Sequence, residues 1–173
     1  MTTTNTKEQA FEWLIEKALV GTTREERGDG ADVDKQQPEE GMFYWGTPKD
    51  MDPKLAIDRR RLWSFLHDTQ QEELDKYVGT QMEQEVEKTI DNDLRTFGLL
   101  HVLRNGVELN NNMHLRLFFP RPSASDSEAA KGKYAANQFS VTRQQTYSLL
   151  KPGNEIDMVV FVNGLPLFTF ELK

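Results

Sequence analysis

Ile156-Asp157-Met158-Val159-Val160-Phe161-Val162-Asn163-Gly164-Leu165-Pro166-Leu167-Phe168-Thr169-Phe170-Glu171-Leu172-Lys173 closes the chain. Two apolar, β-rich runs flank an Asn-Gly pair, the strongest short-range signal for a hairpin turn because both residues tolerate positive φ. One Asp, one Glu and one Lys stand inside this apolar setting. Charges are rarely buried unless they are paired or hold a metal, so these three are candidates for a site. Side chains alternate along a strand, which sets Glu171 and Lys173 on one face. The chain stops on Lys173 in mid-strand by this reading, and is expected to be a fragment of something longer.

The face that Asp157 takes depends on the turn. With Asn163-Gly164 as a plain two-residue turn, Val162 pairs with Leu165 and Asp157 with Phe170, opposite in face to Glu171 and Lys173. With a three-residue loop over Val162-Asn163-Gly164, closed by a left-handed Gly164 at a G1 bulge, the register moves by one. Asp157 then pairs with Thr169 and lies diagonal to Glu171, roughly 7 Å away at Cα. A shared site requires the bulged hairpin. A purely structural sheet is compatible with either register.

Upstream, the same strand-like period is expected over Leu100–Leu103, Met113–Phe119 and Phe139–Ser148, giving five strands with the two of the hairpin. Residues 120–137 form a Pro/Ser/Ala-rich connection with a helical turn around Glu128–Ala135. The first half is helical. Phe11, Leu14, Ile15, Ala18 and Leu19 make an amphipathic stripe over residues 7–20, stopped by Gly21. Residues 21–41 are charged and Gly-rich and read as a loop, followed by a short aromatic strand or turn at 42–46. Asp52-Pro53 opens a helix to about His67. Thr69 caps a short one closed by Gly79. A longer helix runs from Thr80 to Phe97, ended by Gly98. The expected class is α+β: a mixed, largely antiparallel sheet in a single domain over 1–173, with a helical insertion over 50–98.

Bulk composition narrows the function. The chain has 173 residues, 37% hydrophobic, with ten Phe, three Trp and four Tyr for a core. Zero Cys removes disulfides, zinc thiolate sites and cysteine nucleophiles together. No apolar run approaches the ~20 residues of a membrane span, and the polar N-terminus lacks a signal-peptide core. A cytoplasmic location is expected, with no membrane partner. The net charge of −7 means that any affinity for nucleic acid is weak unless positive charge comes from elsewhere.

Asp157, Glu171 and Lys173 form the minimum set for metal-dependent phosphodiester hydrolysis. A cation held by two carboxylates neutralises the phosphoryl oxygens, activates water and steadies the leaving oxygen. Mg²⁺ is satisfied by one or two carboxylates plus waters and phosphate. A nearby Lys orients the attacking water. Other chemistry has less support. His67, His101 and His114 lack ligand spacing. No Gly-x-Ser-x-Gly elbow or Walker A stretch occurs. Arg104, Arg116, Arg121, Lys131, Lys133 and Arg143 read as dispersed, solvated charge, and Phe43-Tyr44-Trp45 as core.

The stretch from Asn154 to Leu167, with Phe170-Glu171-Leu172-Lys173, resembles the N-terminal nuclease domain of type I restriction enzyme R subunits. That family has an Asp in an apolar strand, then Asn-Gly-[Leu/Ile]-Pro, then Glu-Leu-Lys. Phe139-Ser140-Val141-Thr142-Arg143-Gln144 with Tyr147-Ser148, His101-Val102-Leu103-Arg104-Asn105-Gly106, Phe65-Leu66-His67-Asp68-Thr69-Gln70 and Ala56-Ile57-Asp58 are also similar to family stretches. The likeness extends from about Gly46 to Lys173.

The resemblance implies a restriction-endonuclease-like PD-(D/E)xK core. Asp157 and Glu171 would be metal-binding carboxylates, the Leu172 carbonyl an added ligand, and Lys173 the catalytic lysine. Glu12 or Glu8 on the early helix would face the site, although an exposed Glu on an amphipathic helix is more often its solvated face. The implied cofactor is Mg²⁺, with Mn²⁺ as substitute. ATP would enter only through a motor region beyond this chain. Implied partners are double-stranded DNA, held weakly by this chain, and the methylation and specificity subunits of a restriction complex. The alternative is a non-catalytic docking module for the motor or partner subunits.

Overall fold

The computed structural model describes residues 4–28, 30–109, 113–146 and 155–172, with side chains from Lys7 onward. Its elements are α1 (Thr4–Val20), α2 (Arg24–Arg27), β1 (Tyr44–Trp45), β2 (Met51–Asp52), β3 (Ile57–Asp58), α3 (Arg59–Leu74), α4 (Met82–Phe97), α5 (Leu99–Asn105), β4 (Val107–Leu109), β5 (Met113–Leu115), α6 (Glu128–Ala135), β6 (Phe139–Thr146), β7 (Glu155–Val162) and β8 (Leu165–Phe170). The class is α+β. Two compact units divide the chain: Met1–Arg59 with Gln138–Lys173, and Arg60–Asn137. Among the described residues no helix is long and apolar enough to cross a membrane.

The first unit carries a four-stranded sheet in the order β1-β6-β7-β8. β1 runs parallel to β6, while β6, β7 and β8 form an antiparallel meander, so the sheet is mixed and largely antiparallel. Val141, Met158 and Val160 make a buried cluster, against which Ile15, Leu19, Val20, Phe43, Phe170 and Leu172 pack.

The buried face of α1 differs from the expected stripe. Phe11 and Leu14 are exposed (58% and 65%), while Glu12 and Glu16 are buried. The inward stripe is therefore Glu12, Ile15, Glu16 and Leu19, one position round the helix from the apolar reading. Two carboxylates occupy inward positions because a buried cation meets them there. Residues 21–41 are also more ordered than a plain loop. Thr23 caps α2 with a reciprocal box: its hydroxyl accepts from the Glu26 N–H, and the Glu26 carboxylate accepts from the Thr23 N–H.

Lys17 donates to the same Glu26 carboxylate at 2.5 Å. That bond first, and the Thr23 N–H next, hold the Glu26 pKa at about 2 instead of 4.5. A depressed carboxyl pKa adds stability above the unfolded value, and the addition disappears as pH falls through the folded value. Glu26→Gln keeps the box and loses the charge on which this stability depends. Its melting temperature is expected to fall less than the parent's between pH 4.5 and about 2, which acid thermal scans of both proteins would measure.

The β7–β8 hairpin turns on two residues. Val162 pairs with Leu165, and Asn163 and Gly164 both take positive φ (49° and 83°), as a type I′ turn requires. The three-residue loop with a G1 bulge is not formed. Asn163 is fully buried and pins the turn: its Oδ1 accepts from the Gln138 N–H, and its own N–H donates to the Gln138 carbonyl, both at 2.7 Å. The Gly164 carbonyl accepts from the Asp58 N–H at 2.9 Å. The irregularity lies further along. Phe161 pairs with Pro166 but Val160 pairs with Phe168, so Leu167 is an extra residue in β8. Pro166, which has no N–H to offer a ladder, stands beside this bulge.

Asp52-Pro53 does not open a helix. Asp52 Oδ1 accepts from the N–H groups of Lys54 and Leu55, a local turn that competes with helix initiation, and β2 pairs with β3 across it.

In the second unit α3 runs through Thr69, whose hydroxyl bonds back to the Phe65 carbonyl and does not cap a new helix. The helix kinks at Gln70 (φ −146°, ψ 32°), whose side-chain amide exchanges two hydrogen bonds with the Arg116 backbone (2.8 and 2.7 Å). The expected strand at Leu100–Leu103 is part of α5; a short apolar run does not by itself separate strand from buried helix. The strand expected over Met113–Phe119 is confined to Met113–Leu115, while α4 and α6 lie where the sequence puts them. Leu62, Phe65, Leu66, Val86, Ile90, Val102, Leu115 and Leu117 are the fully buried apolar residues of this unit.

Candidate metal centre

The bulge at Leu167 decides which residues face one another at the open end of the hairpin. Beyond it Val159 pairs with Thr169 and Met158 with Phe170. The ladder ends there, with Glu171 just beyond β8; one further step of the same register would set Asp157 across from Glu171. Directly opposed residues of an antiparallel pair project to the same face, so in that register the two carboxylates would share it. The register shift runs opposite to the one a G1 loop would give, and it reaches the same result. Asp157 is half-buried and Glu171 exposed. Asp157 Oδ2 accepts from the Leu172 N–H at 2.5 Å, which fixes the carboxylate and ties it to the end of the neighbouring strand. Lys173 lies outside the described residues, as do Tyr147, Ser148 and Asn154.

Across the sheet, β6 is distorted at the matching point. Arg143 pairs with Met158 and Gln145 with Ile156, which leaves Gln144 opposite Asp157. Gln144 has φ 53°. A non-glycine residue in the left-handed region costs of the order of 1–3 kcal/mol and persists only where its surroundings over-determine it. Such outliers cluster at functional sites.

Those surroundings include an ion network that the sequence did not announce. Arg143, expected to be solvated, is 7% exposed. Its Nε and Nη2 both donate to Glu12 Oε2, at 2.9 and 2.7 Å. Its Nη1 donates to Glu16 Oε2 at 2.9 Å and to both Glu25 oxygens at 3.0 Å. Glu16 also accepts from Arg27 and from the Arg24 N–H. The Arg27 guanidinium lies 4.6 Å from the centre of the Trp45 ring. Glu8, the other helix candidate, is half-buried.

Burial pushes the Glu12 carboxyl up, Arg143 offsets part of that, and the nearby charges of Asp157 and Glu25 push it further up. Glu12 thus stands within electrostatic reach of Asp157. For Glu25 burial acts in the same upward direction, but hydrogen bonds from backbone, Trp13 and Arg143 overcome it and hold the group low. Arg143 and Glu12 were recoverable in part from the sequence: Arg143 has the same parity along β6 as Phe139 and Val141, the apolar residues of that strand, and Glu12 and Glu16 share a helix face at i, i+4. Nothing local marks their pairing across 131 residues.

Asp157 and Glu171 are the candidate donors for a metal centre. Among the described residues no three His, Asp or Glu groups stand together closely enough to hold a cation. Two carboxylates are nevertheless a sufficient protein complement for Mg²⁺, which keeps most of its waters. The three histidines bond elsewhere in the second unit: His67 with Gln71, His101 with Asn105, and His114 with the Asn105 carbonyl.

The model of one protein family, type I restriction enzyme R protein N terminus, matches residues 67–173. The chain belongs to that family. Neither the curated proteins nor the solved structures gave a match. The R-protein match takes in β6, the β7–β8 hairpin and both opposed carboxylates, whereas Glu12, Glu16, Glu25 and Arg27 precede it. As a member of this family the chain is grouped with restriction enzymes, at the N-terminal part of their R protein.

Proposed function

We propose that this chain is the metal-dependent endonuclease module of a type I restriction R protein, hydrolysing phosphodiesters of double-stranded DNA. Asp157 and Glu171 would hold Mg²⁺, with the Leu172 carbonyl as a further ligand and Lys173 as the catalytic lysine of a PD-(D/E)xK centre. The observation that carries this reading is the bulge at Leu167: if its register continued one step past the last pair, Met158 with Phe170, Asp157 and Glu171 would lie on one face of an otherwise apolar hairpin. When bound, Mg²⁺ neutralises phosphoryl charge and lowers the pKa of a bound water. The chain's own part is positional. The Leu172 N–H holds one oxygen of Asp157 and leaves the other for the cation. Family membership supports the same assignment.

The acidic balance of −7 disfavours tight DNA binding by this chain alone. In the full protein DNA would be delivered by an ATP-driven motor and by the methylation and specificity subunits, in the cytoplasm. A docking module without chemistry is the competing reading. A two-residue turn at Asn163-Gly164 favours it when the register leaves the two carboxylates on opposite faces, and the bulge at Leu167 speaks against that register.

Calorimetric titration of Mn²⁺ into the chain, beside Asp157→Ala, tests the proposal. Binding that disappears in the variant is expected. Equal binding by both proteins would exclude Asp157 from the centre.

A further inference from the structure

In the first unit α2, β1 and residues 46–49 line a cavity of about 390 Å³, which Glu16 of α1 and Arg143 of β6 also reach. That volume suits a small molecule. Its lining holds four cations, Arg24, Arg27, Lys49 and Arg143, and one carboxylate, in a chain whose net charge is −7. Glu16 cannot balance them, because its oxygens are taken: Oε1 accepts from Arg27, and Oε2 from Arg143 and the Arg24 N–H. Arg143 is held further by Glu12 and Glu25. Among the described residues the side chains of Arg24 and Lys49 make no ion pair. Arg27 is the decisive member. Its side chain is only 11% exposed. Nη2 donates to Glu16 and Nη1 to the Thr22 carbonyl, and the guanidinium stands over Trp45. A guanidinium carries five N–H donors. Five less these two leaves three without a partner among the described residues, and enclosed donors are normally satisfied. The wall is fixed before any ligand arrives. The Gln36 amide holds the Trp45 backbone by two hydrogen bonds (2.8 and 3.0 Å), and the Thr23–Glu26 box sets the short turn on which Arg24 and Arg27 share a face at i, i+3.

We propose that this cavity binds the terminal phosphate of a small molecule, such as pyrophosphate or a nucleoside phosphate, with Arg27 at its floor and Arg24 and Lys49 at its mouth. Guanidinium forks match phosphate oxygens two at a time. A terminal phosphate brings about two negative charges at neutral pH, which the two unpaired cations offset. A phosphodiester of a nucleic-acid backbone brings about one, and the sugars on both sides of it keep it away from the enclosed Arg27. Arg24, Arg27, Trp45 and Lys49 all precede the residues that the R-protein family matches, and the inference stands apart from the metal-centre reading.

The test is calorimetric titration of pyrophosphate into the whole chain, in buffer freed of divalent cations so that no metal carries the anion. Binding is expected in the parent. Arg24→Gln and Lys49→Gln should each weaken it about tenfold, the scale of one charge-assisted hydrogen bond, and the double variant should weaken it further. Both side chains are exposed, so the melting temperatures of these variants should stay near the parent's. Lys88→Gln removes a charge from the exposed side of α4 and should bind as the parent does. No binding in the parent, equal binding by parent and double variant, or an equal loss in Lys88→Gln overturns the site. A blunt DNA duplex is the competing arm. Pyrophosphate that stays bound in an excess of duplex supports the small-molecule assignment. Displacement by the duplex would give the site to a nucleic-acid backbone and overturn that assignment.

Discussion

Asp157→Ala in the complete restriction complex is expected to abolish DNA cleavage while ATP hydrolysis continues. The carboxylate is one of two that would hold the cation, and a bound cation contributes several kcal/mol of charge stabilisation in the transition state, or about a thousandfold in rate. Alanine also frees the Leu172 N–H that now donates to Asp157, so the end of the neighbouring strand loses its anchor along with its ligand. Glu171→Ala should have the same effect on cleavage, with a milder effect on the strand, because Glu171 is exposed. ATP turnover should survive both changes, since this chain has no Walker A stretch and the proposed motor would be a separate region. Supercoiled plasmid cleavage and phosphate release, followed in parallel, separate the two activities. Cleavage within about tenfold of the parent in either variant would remove that residue from the centre.

Arg143→Met should unfold the first unit more easily than any other single change considered above. Methionine fills similar length but leaves Glu12 buried with no cation and Glu16 with Arg27 alone. Breaking a buried ion pair from one side costs about 3–5 kcal/mol, because the charge that remains is uncompensated. That is a large share of the total stability of an ordinary domain, about 5–15 kcal/mol. Urea unfolding should show the loss as a lower midpoint. Adding Glu12→Leu to Arg143→Met should recover part of it, since an apolar pair of matched volume carries no desolvation penalty. A loss below about 1 kcal/mol in the single variant would mean that the network contributes no more than a surface pair.

The elements that local chemistry specifies were legible in the sequence. Asn163-Gly164 gives the hairpin turn, Gly98 ends α4, and the helical turn expected around Glu128–Ala135 is α6. The pair Asp157 and Glu171 stood out as charges in apolar strands. What the sequence hid depends on distant partners. The α1 stripe was assigned to Phe11 and Leu14 because hydrophobic pattern alone cannot foresee that Arg143, far along the chain, makes Glu12 and Glu16 the inward residues. Asp52-Pro53 carried a helix-start signal that a side-chain turn overrode. The bulge followed from neither turn type nor alternation. Asn163 is locked to Gln138, so the turn holds its two-residue form and the extra residue is taken up at Leu167, next to a proline.

That placement also bears on solubility. β8 is an outer strand of the four-stranded sheet among the described residues, with Leu167 and Phe168 exposed. An apolar outer strand with a regular row of donors and acceptors is a template on which a second chain can lay itself down. Here the row is interrupted twice in succession, by a proline with no donor and by a residue out of phase. The irregularity beside the proposed site thus also deprives a would-be fibril of its first rung.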